Sequence, residues 1–203
     1  MLERITRRER SDLLIAWIAI SIAFSLIFSR GGVTLELFLV FLLVSMVTVG
    51  IGFILHEMAH KFTAMRYGYW AEFQKDNLML LVAVAMAALV GVVFAAPGAT
   101  VIYGTYITRE QNGKISAAGP AVNLVLCAVF AALSGAAGML SFPLLSLIGM
   151  VGLQVNAMIA AFNMLPVSVL DGKKVLAWNP AVFAVLIVAA FGILLASYFP
   201  YLF

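Results

Sequence analysis

From Leu35 to Leu55 the chain carries one charge, Glu36, at the very start of the run. A helix that is apolar all round over this length is long enough to span a bilayer, and no water-facing side remains for a soluble fold. Composition agrees: the chain is 65% hydrophobic, 10% charged and has a mean hydropathy of +1.12, where soluble domains are roughly a quarter charged. The expected fold class is an all-α polytopic membrane protein, a helical bundle of about five to six transmembrane segments with a small β-hairpin insertion. One domain is expected over residues 1–203, with a tail and first helix in 1–33, a core in 34–176 and a C-terminal helix in 177–203.

The net charge of +3 is small and scattered, so nucleic acid is not an expected partner; the lipid bilayer is. Arg4, Arg7, Arg8 and Arg10 precede the first apolar run, which puts the N-terminus in the cytoplasm by the positive-inside rule. Leu13 to Ser29 is longer than a usual signal core, and Phe28-Ser29-Arg30 offers no small-residue cleavage site. It is expected as a retained first helix with Ser11 or Asp12 as N-cap. The single Cys127 lies in an apolar stretch and reads as a small packing residue.

A turn at Arg30-Gly31-Gly32 leads into a second helix, Thr34 to Ala64, which returns to the cytoplasmic side at Lys61 and Arg66. Tyr67 to Asn77 is polar and aromatic, as suits a membrane interface. Leu78 to Ala96 is apolar and stops at Pro97-Gly98. Residues 99–116 read as a β-hairpin with Asn112-Gly113 at its turn. It serves either as an edge for another extended segment or as a cap on the bundle. Gly119-Pro120 is expected to open a helix to Gly135, with Gly138 and Pro143 marking a turn. A helix from Leu144 to Phe162 then breaks near Pro166, and a last helix covers Ala181 to Phe199.

At the end of the second helix stand His56-Glu57-Met58-Ala59-His60, which contain both histidines of the chain. Residues four apart share a helical face, so both imidazoles reach one metal ion. Glu57 points beside that face, where a general base for water belongs. An ionisable group inside a membrane is functional by default. Zinc needs a third protein ligand and no third histidine exists. Asp171, just past the apolar helix that ends near Asn163, is the acid placed to supply it. One Zn2+ per chain is expected. Asn156 and Asn163 share a face of the 144–162 helix; Asn163 reads as a polar wall of the site, and Gln154 as a tie between helices.

These pieces together resemble the site-2 protease family of intramembrane zinc metalloproteases. The matching stretches are His56-Glu57-Met58-Ala59-His60, Gly119-Pro120-Ala121-Val122-Asn123 and Asn163-x-x-Pro166-x-x-x-x-Asp171-Gly172. The resemblance implies cleavage of transmembrane-helix protein substrates, with His56, His60 and Asp171 as zinc ligands and Glu57 as catalyst. Asn163 matches an asparagine that assists at the scissile carbonyl. Many relatives carry a PDZ module. None is expected here, so substrate selection would rest on the membrane domain or on a partner. The alternatives are a small channel or transporter with an intramembrane His/Glu/Asp ion site, and an inactive relative.

The assignments also constrain topology. If Leu78 to Ala96 were a plain crossing followed by helical returns, Asp171 would emerge on the side opposite the histidines, across ~30 Å of hydrocarbon. The run must therefore be re-entrant or shallow, or be brought back by the extended segment that follows. Asp171 is then expected level with His56 and His60, with the active site toward the cytoplasm and the C-terminus outside.

Overall fold

A computed structural model of the chain describes residues 5–30, 32, 34–92, 98–104 and 106–198. Five of its helices are long and apolar enough to cross a membrane: α1 (Arg7–Phe28), α2 (Leu35–Arg66), α4 (Arg109–Met139), α5 (Pro143–Asn163) and α7 (Pro180–Tyr198). The remaining elements are β1 (Trp70–Lys75), α3 (Asn77–Leu89), β2 (Gly98–Tyr103) and α6 (Asp171–Trp178). This is a multi-pass membrane protein with a small antiparallel strand pair.

Helices α1 and α2 pack antiparallel. Their hydrogen bonds pair Ser25 with the Phe38 carbonyl at one end and Trp17 Nε1 with the Met46 carbonyl further along. At the other end the Lys61 ammonium pairs with Glu9. Helix α1 begins earlier than expected. Thr6, not Ser11 or Asp12, is the N-cap and accepts the Glu9 N–H at 3.1 Å. The polar first turn is helical because protein groups meet it: Glu9 is buried and Asp12 nearly so.

One strand lies where the sequence suggested, β2 at the start of the expected 99–116 hairpin, but its partner does not. Residues 70–75, expected only as interfacial, form β1 and pair with β2 in the register Trp70↔Tyr103 to Lys75↔Gly98. Asn112-Gly113 is not a turn but lies in the first turns of α4, which opens one residue after Thr108. Thr108 accepts the Gln111 N–H while the Gln111 side chain accepts the Thr108 N–H, a capping box that outweighs the turn signal. Gly119-Pro120 likewise sits inside α4 rather than at its start. A proline there removes one helical hydrogen bond, and the packing of α4 on α2 and α5 holds the helix through it.

Helix α3 has 13 residues, about 20 Å at 1.5 Å per residue, too short to cross alone. Its N-cap Asp76 follows Lys75, whose ammonium lies 4.0 Å from Asp12 near the start of α1. Its last carbonyls reach the far end of α1, where Arg30 donates to the Leu89 carbonyl at 2.9 Å. By Gly98, opposite Lys75, the chain is back where α3 began. The excursion is thus undone before α4 starts, and a helix too short to cross fits the re-entrant or shallow route. The expected stop at Pro97, Gly31 of the expected first turn and Phe199 lie outside the described residues.

Helices α4 and α5 form an antiparallel pair through Ser134–Ser146, Cys127–Leu153 and Asn123–Asn156. Cys127 is buried at this seam, as expected of a packing residue. Helix α7 lies on the outside, tied at its far end where Gln154 donates to the Ser197 carbonyl. These directions bring the end of α5, and with it α6, back to the level of the histidines.

Candidate metal centre

Two helices supply the side chains that converge on the site. From α2 come His56, Glu57 and His60, all buried. From the start of α6 comes Asp171, also buried. His56 Nε2 and His60 Nε2 lie 3.0 Å apart, and Asp171 Oδ2 is 3.1 Å from His60 Nε2 and 3.4 Å from His56 Nε2. Ligand bonds of about 2.0–2.1 Å arranged tetrahedrally put donor atoms roughly 3.3 Å apart, so these three atoms fit one small divalent ion. Among the described residues they form a group able to hold a metal.

The far side of each imidazole is fixed. His60 Nδ1 donates to the Ile115 carbonyl at 2.8 Å. His56 Nδ1 donates to Asn123 Oδ1 at 2.5 Å. The Asn123 amide is oriented by its own donations, to the Gly52 carbonyl and to Asn156 Oδ1, so the oxygen must face His56. Both rings are therefore the Nδ1–H tautomer, with both Nε2 lone pairs turned to Asp171. This is the outer-shell arrangement that sets ring orientation and ligand basicity at metal sites. Asn123 is four residues after Gly119 and so on the same face of α4. That four-residue spacing is the signal in the sequence that points to Asn123.

Two glycines make room. A Cβ at Gly119 would stand 2.5 Å from His60 Nε2 and 2.7 Å from His56 Cε1, so any side chain would push into the ligand atoms. A Cβ at Gly172 would stand 2.1 Å from the Met164 carbonyl oxygen. Only a glycine lets α6 turn back tightly on the end of α5 and bring Asp171 inward. The helix stops three residues before Pro166, and Asp171 is the first residue of α6, not its cap; Leu170 takes the N-cap position. Lys174 Nζ stands 3.9 Å from Asp171 Oδ1.

Glu57 is not one of the three converging residues. Its Oε2 accepts a hydrogen bond from Thr100 Oγ1 on β2 at 2.8 Å. A cavity of about 70 Å³ lies between, lined by His56, Glu57, His60 and Asp171, and also by Thr100, Ile102, Asn163 and Lys174. Asn163 is thus at the same cavity, with its amide donating to the Ile159 carbonyl at 3.0 Å. Asn156, by contrast, is taken up in the tie to Asn123.

Over 199 residues the chain is 39% identical to "Putative zinc metalloprotease MJ0611" of Methanocaldococcus jannaschii, a match covering 97% of each chain. It belongs to that zinc metalloprotease family. A second relative, "Putative zinc metalloprotease Rip2" of Mycolicibacterium smegmatis, is 33% identical over 135 residues, 58% of this chain and 50% of its own. No family model and no solved structure matches. Membership of the metalloprotease family agrees with the site-2 protease resemblance read from the motifs, and it does not favour the ion-translocating alternative.

Proposed function

We propose that the protein is an intramembrane zinc endopeptidase that hydrolyses peptide bonds within or near transmembrane helices of membrane-protein substrates. One observation carries the reading: His56, His60 and Asp171 converge to within 3.4 Å beside a buried Glu57, in a chain whose long helices are built for lipid. His56, His60 and Asp171 would hold one zinc ion through Nε2, Nε2 and Oδ2. A zinc ion held there supplies a Lewis acid for the scissile carbonyl and for the attacking water. Glu57 takes the proton from that water and passes it to the leaving amine. Asn163, whose amide has a second hydrogen beyond the one given to Ile159, would donate to the carbonyl oxygen as charge develops on it.

A helical substrate hides its carbonyls in its own hydrogen bonds and must be opened first. Phe73 N–H points away from β2, to Glu9 Oε1 at 3.1 Å. By the alternation of an antiparallel ladder, Phe73 and its partner Thr100 do not exchange hydrogen bonds. Thr100 therefore turns its own N–H and carbonyl to the free edge of β2, beside the cavity. That edge can pair with an unwound substrate segment, which favours the platform over the cap.

The positive flank of α1 supports a cytoplasmic N-terminus and a site open toward that side. The test is co-expression with candidate single-pass membrane proteins, comparing wild type with Glu57→Gln. Cleavage is expected with wild type alone, from protein of equal zinc content. Equal cleavage by both would overturn the reading.

A further inference from the structure

Away from the metal ligands, the described residues hold one fully buried ion pair, Glu9 with Lys61. Burying two charges is costly, and such a pair is seldom kept for stability alone. Its surroundings suggest another use. Lys61 follows His60 on α2. Glu9 spends its second oxygen, Oε1, on the backbone N–H of Phe73 in β1. Phe73 is the register partner of Thr100, and Thr100 holds the carboxylate of Glu57.

The same turn of α1 grips β1 at two more points. Thr6 Oγ1 donates to Glu72, and Lys75 lies near Asp12. The Lys61 ammonium also sits 5.6 Å from the centre of the Trp70 ring. The Phe73 ring meets Phe53 of α2 edge-on at 5.5 Å. A lone two-stranded pair is marginally stable. Here its outer strand is fastened to α1 and α2 along its length, and its inner strand faces the cavity.

We propose that Glu9 and Lys61 are positioning residues for the hydrolysis, acting through Phe73 and Thr100 to fix the Glu57 carboxylate. The inference rests on Glu57 being the proton-transferring group of the proposed protease. Neither Glu9 nor Lys61 reaches the cavity. What they determine is where β2 stands, and so where Glu57 points. A base displaced by about 1 Å costs up to roughly a hundredfold in rate.

The test uses the full chain in lipid nanodiscs and a single-pass membrane protein that wild type cleaves. Glu9→Gln/Lys61→Met leaves no buried charge unpaired and is the main variant. Hydrogen–deuterium exchange is expected to quicken in 98–103 and to stay unchanged in α2 and α4, at wild-type zinc content. The kcat is expected to fall about ten- to a hundredfold, and KM to rise as well in this variant, since the loosened strand is the one whose edge meets substrate. Thr100→Val should show the same loss and Thr100→Ser should not. Combining Thr100→Val with the double variant should cost little more than either, because both cut one route. Unchanged exchange and kcat, or losses that multiply, would overturn the proposal. If the double variant does not fold, Glu9→Asp, which keeps the charge and shortens its reach, is read in the same way. Failure of both to fold would assign the pair to stability and end the proposal. Absence of any Glu57-dependent cleavage by wild type would instead sink the protease reading, and the exchange data would still report on the clamp.

Discussion

Asn123 Oδ1 accepts a hydrogen bond from His56 Nδ1 at 2.5 Å, across the α2–α4 seam. The asparagine is held by two further bonds and has no other orientation available. Replacing it with leucine leaves the ring free to turn and its Nδ1–H without a partner. Zinc affinity is expected to weaken about 10- to 100-fold, the usual cost of losing an outer-shell partner. Competition against a chelator of known affinity measures it; wild-type affinity in Asn123→Leu would show that the bond does not orient the ligand.

Gly119→Ala is a sharper perturbation. The added methyl would lie within 2.7 Å of both imidazoles, and neither ring can retreat, since each is bonded behind. Helical content by circular dichroism is expected to stay near wild type while bound zinc falls below about a tenth of an equivalent. Full zinc occupancy would mean that α4 can move away from α2.

The buried pair makes a prediction about stability that is independent of rate. Glu9→Ala strands the Lys61 ammonium and should destabilise the protein by ~3–5 kcal/mol. Glu9→Gln/Lys61→Met should lie much closer to wild type. Unfolding in denaturing detergent compares them, and equal loss in both would mean that the charge itself is not what matters.

Sidedness follows from the antiparallel helices. Glu110, with 64% of its side chain exposed, lies at the end of the bundle where α1 starts, and Met139, 89% exposed, lies at the opposite end. The one native cysteine is buried and should stay silent. In intact cells an impermeant thiol reagent is expected to label Met139→Cys and to spare Glu110→Cys. The reverse pattern would invert the proposed orientation.

What the sequence disclosed was whatever depends on local spacing. His56 and His60 had to share a face, and a topology argument alone required the 78–96 run to be undone before α4. Asp171 could be singled out because so few acids lie among the apolar segments. The strand at 100–103 is legible in its β-branched run, but its partner is not, because β1 buries only Ala71 and Phe73 deeply, an alternation too slight to see, and because Asn112-Gly113 looks like a turn. The capping pair Thr108 and Gln111 was the better signal and was legible in principle. Thr100 on Glu57 and Glu9 on Lys61 were not, since they depend on which helices meet and at what height.

That Glu9–Lys61 contact also bears on the order in which the chain assembles. An ammonium buried without a partner is expensive, so α2 cannot reach its final packing until α1 lies alongside. The two helices are expected to pack as a pair. Strand β1 can dock only afterwards, because its Phe73 N–H bonds to the carboxylate that the pair has brought in. The order of assembly then runs against the order of dependence at the site: the first turn of α1 is the one on which the last-formed part of the cavity leans.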